Sequence, residues 1–178
     1  MCGSQKKNSD NKKGKGSMKI FAIAVVVLVV AAVVAVLAAK DRQRTVGTDI
    51  PAAEITEFYC TTATSTNPAY WRQYRFYMEG EQWWFYHESR EGSHWPLTEK
   101  DITACGAKQL SQQEYEQFIT CISGGKVTKR EENADSGGKG PWLYIYWKGD
   151  KGKYQQFAFA DYTAQQNFEQ LCAELAAQ

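Results

Sequence analysis

One N-terminal transmembrane helix followed by an α+β domain, an antiparallel sheet with two helices on one face, is the architecture that three features of this 178-residue chain predict. The first is a run of twenty uncharged apolar residues, Ile20 to Ala39. The second is a series of short segments rich in aromatic and β-branched residues, separated by Gly, Pro, Asn and Asp. The third is a pair of stretches with apolar residues at i, i+3, i+4 and i+7, each opening on a capping pattern.

Residues 1–19 carry six lysines among Gly, Ser and Asn, a composition too polar to fold, and read as a disordered arm on the cytoplasmic side beside anionic lipid. The segment 20–39 at helical rise spans about 30 Å, the hydrocarbon thickness of a bilayer. Positive charge before the span exceeds that after it, with Lys40, Arg42 and Arg44 following, so the N-terminus is expected inside and the rest exported. A cleaved signal peptide is the rival reading, but its apolar core would be about 7–15 residues, shorter than this one. Ala31, Ala35 and Ala39 recur every four residues, a small-residue face that allows homodimerisation in the membrane.

Residues 40–53, with Gly47 and Pro51, read as a stalk, and the α+β domain is expected over 54–178. Strands are predicted at Ile55–Thr61, Tyr70–Glu79 and Gln82–Glu88, the last two joined about Glu79, Gly80 and Glu81. Asp101–Gly106 is too short for periodicity to decide between strand and extended loop. Ser111 and Glu114 have capping-box spacing, Tyr115, Phe118, Ile119 and Ile122 form one stripe, and Gly124–Gly125 supplies a stop.

The second half follows the same plan. A strand at Val127–Arg130, a polar loop at 131–140, and a hairpin of Trp142–Lys148 with Tyr154–Phe159 precede a helix carrying Phe168, Leu171, Cys172 and Leu175. Thr163 and Gln166 are its candidate capping pair. Two βββα units in tandem would form one sheet with both helices on the same side.

Composition bounds the function. Residues 1–40 hold seven Lys and one Asp; in residues 41–178, fourteen Lys plus Arg face nineteen Asp plus Glu. The exported part is therefore mildly acidic, which argues against nucleic acid as its partner. Four cysteines, Cys60, Cys105, Cys121 and Cys172, lie beyond the span and are expected to form two disulfides; sequence does not choose among the three connectivities, of which Cys121 with Cys172 and Cys60 with Cys105 is the favoured one. Cys2 lies on the other side. No Asn-x-Ser/Thr glycosylation acceptor exists beyond the span, as on a bacterial surface protein.

Each predicted strand is aromatic on both faces, and helices can cover only one. The other face would carry Trp71, Arg75, Tyr77, Trp84, Tyr86, Trp142, Tyr144 and Tyr146, residue types enriched where proteins bind one another. The expected function is a single-pass, extracytoplasmic binding domain, non-catalytic, whose partner is another envelope protein or a flat ligand such as a glycan. Cross-strand stacking alone is the plainer account of the same residues. An envelope enzyme with an acid/base or metal site around His87 and His94, among Glu88, Arg90 and Glu91, is the alternative, and a structural subunit of a membrane complex is another. The two histidines are seven apart, unlike metal-ligand spacing on a helix or strand, and no metal or cofactor is expected.

Overall fold

The computed structural model describes residues 25, 27–34, 43–129, 140–150, 152 and 154–178. The chain divides into two units, one up to Arg42 and one from Gln43 to Gln178. In the first, residues 27–34 are helical with exposed valine and leucine side chains. Of the expected span 20–39 only residues 25 and 27–34 are described; the rest of it, with Ala35 and Ala39, and the arm 1–19 lie outside the described residues, and among those described no helix is long and apolar enough to cross a membrane. The loop 131–139 and Cys2 also lie outside them.

The second unit is an α+β fold built on one eight-stranded antiparallel sheet. Its strands are β1 (Arg44–Thr45), β2 (Ile55–Thr64), β3 (Ala69–Glu79), β4 (Gln82–Gly92), β5 (Ile102–Gln109), β6 (Lys126–Lys129), β7 (Trp142–Trp147) and β8 (Tyr154–Ala158). Helix α1 (Gln112–Ile122) follows β5, and helix α2 (Tyr162–Ala176) closes the chain. The strand order is β1-β6-β8-β7-β2-β3-β4-β5.

Two expectations change here. The first half places β2 to β5 in consecutive order before α1, with β1 apart from them beside β6, whereas the second places three strands with β8 between β6 and β7, so the halves do not repeat one βββα plan. The segment read as a stalk belongs to the domain: Val46 and Ile50 are buried, β1 pairs with β6, and Val46 exchanges backbone hydrogen bonds with Gly124 and Gly125 at 3.0 Å. Two apolar residues among polar ones had carried too weak a period to reveal this.

The helices seat their stripes on one side of the sheet. Phe58 of β2 and Phe76 of β3 meet Phe118 of α1 and Phe168 of α2, and all four rings are buried. Phe76 and Phe118 stack at 4.1 Å with 4° between their planes. Trp83 of β4 adds stacking on Tyr115 at 5.3 Å. Burial of such rings is worth roughly 2–3 kcal/mol each before entropy, which makes this layer the main source of stability.

Local chemistry sets the helix ends. The Ser111 backbone N–H donates to the Glu114 carboxylate at 2.7 Å, and the Ser111 hydroxyl accepts from the Glu114 N–H, completing the predicted box. Gly124 then takes φ +75°, a left-handed conformation that suits glycine after a helix end. For α2 the cap is Asp161, not the predicted Thr163: its carboxylate accepts from the Ala164 N–H at 2.8 Å. Asp is at least as good a cap as Thr, and the helix begins correspondingly earlier.

Candidate functional site

Because directly paired residues of an antiparallel ladder project from the same face, the strand register sorts every side chain. Phe58, Phe76, Trp83, Phe85 and Ile145 point toward the helices. On the opposite face, one row runs Tyr146, Glu57, Tyr77, Trp84. The next runs Tyr144, Tyr59, Arg75, Tyr86; a third runs Trp142, Thr61, Gln73, Glu88; a fourth Ala63, Trp71, Arg90. All eight residues singled out in the sequence share this one face, and no helix of the second unit covers it among the described residues.

The face is ordered by its own contacts. Arg75 pairs with Glu57 at 2.6 Å and lies over the Tyr77 ring at 4.7 Å. Arg90 lies over Trp71 at 5.0 Å and pairs with Glu88 at 2.5 Å. Tyr59 packs against Tyr144 at 5.1 Å and stacks near Tyr146 at 6.0 Å. Tyr144 itself is 4 % exposed. Part of the aromatic set therefore packs within the sheet, while Trp71, Trp142, Tyr77, Trp84 and Tyr146 remain half-buried.

Glu88 is the buried charge of this face, 8 % exposed. Burial pushes its carboxyl up, but hydrogen bonds from Tyr86 and Arg90, with the Arg90 charge, outweigh that and leave it below the usual carboxylate range. Donating to Glu88 in turn pushes the Tyr86 phenol up to about 12, with burial adding to the shift. A carboxylate held this firmly is an anchor for its neighbours rather than a proton carrier at neutral pH.

At one corner the face hollows. Tyr59, Thr61, Ala63, Trp71, Trp142 and Tyr144 line a cavity of about 260 Å³, to which Trp95 also contributes. Trp95 was not anticipated: it stands in the loop after β4, half exposed, where no periodicity reports it. Tyr59 carried a usable signal, since it alternates with the core residues Phe58 and Cys60 along β2.

The histidines do not form a common site. His87 points to the helix side, stacks near Phe85 at 6.0 Å and lies over Gly106, where an added Cβ would come within 2.7 Å of its Nε2. It lines a separate hollow with Lys108, Leu175 and Gln178. His94 stands in the loop beyond β4, 3.5 Å from Asp101. Five residue steps along the strand, about 17 Å of backbone, separate His87 from Gly92, the neighbour of the His94 ring. Among the described residues no group of three or more His, Cys, Asp or Glu side chains is placed to hold a metal ion.

The expected disulfides are not formed, and all four of these cysteines are free thiols. Cys60 projects toward the helices, whereas Cys105, paired with Glu88, lies on the open face three strands away, about 14 Å, far beyond bridging distance. Strand parity separates them, which even counting could not reveal. Cys60, Cys121 and Cys172 are buried instead. Burial, with the nearby Glu169 charge, pushes the Cys60 thiol up to about 12, and burial raises Cys121 and Cys172 as well. They serve as core side chains, not as nucleophiles.

No protein-family model matches the chain, and no curated protein or solved structure is similar to it.

Proposed function

We propose that the chain is a membrane-anchored, extracytoplasmic binding domain that engages an envelope protein through the open face of its sheet. The observation that carries this reading is the convergence of Trp71, Arg75, Tyr77, Trp84, Tyr86, Trp142, Tyr144 and Tyr146 on the one face the helices leave free. Trp, Tyr and Arg are the side chains that most often dominate binding energy, because they bury large areas at low entropic cost and keep a polar handle. The ion pairs Arg75–Glu57 and Arg90–Glu88 hold that face in one arrangement before a partner arrives, which lowers the cost of association. Segment 20–39 is the anchor, with the charge balance placing the domain outside. With its cysteines reduced, export rests on the anchor and its flanking charge alone.

The hollow beside Trp95 favours a second reading, a flat ring ligand such as a sugar. Its about 260 Å³ would seat one ring among the indoles of Trp71, Trp95 and Trp142, with the Thr61 hydroxyl as a polar group of its lining.

A photo-reactive amino acid placed at Tyr77 or Trp84, and as a control at Gln117 on the outer side of α1, tests the proposal in intact cells. Adducts to one protein from the open-face positions and not from Gln117 support it. Adducts from none of these positions, with the full chain present in the membrane, refute the protein reading; binding of glycan fragments that Trp142→Ala abolishes would then support the second.

A further inference from the structure

β5 is the last strand of the sheet, and among the described residues no strand pairs with its outer edge. The hydrogen-bond phase shows which of its groups face outward. The Leu110 N–H donates to the Trp83 carbonyl at 2.9 Å, so in this ladder Lys108 with Phe85 and Gly106 with His87 are the pairs that exchange bonds. The backbone N–H and C=O groups of Cys105, Ala107 and Gln109 therefore point away from β4.

Exposed edges are normally guarded by lysine, proline, a bulge or an inward charge. The stretch Ala104-Cys105-Gly106-Ala107 carries none of these, and Ala104, Cys105 and Ala107 are exposed. The one irregularity, between Ser89 and Arg90 opposite Ile102–Ala104, lies at the end of the strand. Lys108 does not stand guard either: its ammonium is held by Glu114 at 2.7 Å and by Gln178.

We propose that β5 pairs antiparallel with β5 of a second copy of this chain, about a two-fold axis through Gly106, joining two eight-stranded sheets into one. The pattern of the strand selects this occupant because it is complementary to itself. A centre at Gly106 sets Cys105 opposite Ala107, so that outward groups meet outward groups; it sets Thr103 opposite Gln109 and Ala104 opposite Lys108. No like charges face each other, and the four central residues, Ala104 to Ala107, carry only small side chains. Moving the centre to Cys105 would place Ile102 opposite Lys108, a poorer match. With the axis normal to the sheet, both open aromatic faces lie on the same side and form one continuous surface, so the dimer would present the proposed binding face twice.

Cys105 is a native reporter. In this register the two Cys105 residues are diagonal neighbours, about 7–8 Å apart, and Cys60, Cys121 and Cys172 are buried away from reagent. The full chain carrying Cys2→Ser, in native membranes, is treated with a short bismaleimide. A cross-linked dimer is expected that Cys105→Ser abolishes and that Ala107→Pro and Ala107→Lys each reduce at least ten-fold. Ala107→Lys is an exposed change that leaves the bonds to β4 intact, so its effect does not depend on refolding. Ala35→Leu should leave the cross-link in place, separating this edge from any contact through the anchor. Absence of dimer while a mono-maleimide labels Cys105 fully, or a dimer that persists in both Ala107 variants, overturns the proposal.

Discussion

Phe76 and Trp71 stand on the same strand but on opposite faces, and replacing each with Ala should separate the structural face of the sheet from the binding face. Phe76 is fully buried and touches the rings of Phe118 at 4.1 Å, Phe85 at 5.0 Å and Phe168 at 5.8 Å. Its loss removes about 2–3 kcal/mol of transfer energy and leaves a cavity among rigid rings, for a total of about 4 kcal/mol. Trp71 is half-buried. It loses one Arg90 contact over its ring, about 0.5–1 kcal/mol at a partly exposed site, and a cross-strand neighbour in Ala63, so about 1 kcal/mol is expected. Urea unfolding of the full chain in detergent, followed by far-ultraviolet circular dichroism, gives both values under one condition. A Trp71→Ala cost equal to that of Phe76→Ala would refute the reasoning, because the open face would then be a second core.

Other outcomes follow from single contacts. Gly125→Ala should destabilise by at least about 2 kcal/mol in the same assay, because its Cβ would come within 2.2 Å of the buried Phe157 ring and 2.9 Å of the Ile122 carbonyl. Asp161→Ala should cost about 1 kcal/mol through loss of the α2 cap. Glu88 is depressed in the folded state, so its contribution is complete above its ordinary value of 4.5 and is lost as pH falls below it; Glu88→Gln should flatten that acid limb. Tyr86 is raised, so its contribution is complete below pH 10 and is lost as pH climbs toward about 12; comparison of unfolding midpoints with Tyr86→Phe across that window should show the difference vanish.

Much of the domain was legible in the sequence where the local signals agreed. β3 and β4 alternate over eleven residues each and turn at Gly80, whose φ of +64° suits glycine, and the α1 capping box formed as its spacing required. The same alternation placed all eight open-face residues together, since parity along a strand fixes the side once one buried residue is known. What lay hidden depends on contacts distant in sequence. β6 pairs with β8 instead of β7, and Val46 and Ile50 dock on the domain from a segment with no period of its own. Trp95 reaches the hollow from a loop, and the cysteines divide between faces by strand parity that a count of four cannot express.

The decisive measurement is capture of the envelope partner by the intact chain and by a variant carrying Trp71→Ala with Tyr77→Ala, each checked for an unchanged fold. If the open aromatic face binds, the variant keeps its circular dichroism and its place in the membrane but loses the photo-adduct formed from Trp84. A well-folded variant that still forms that adduct in full would contradict the account.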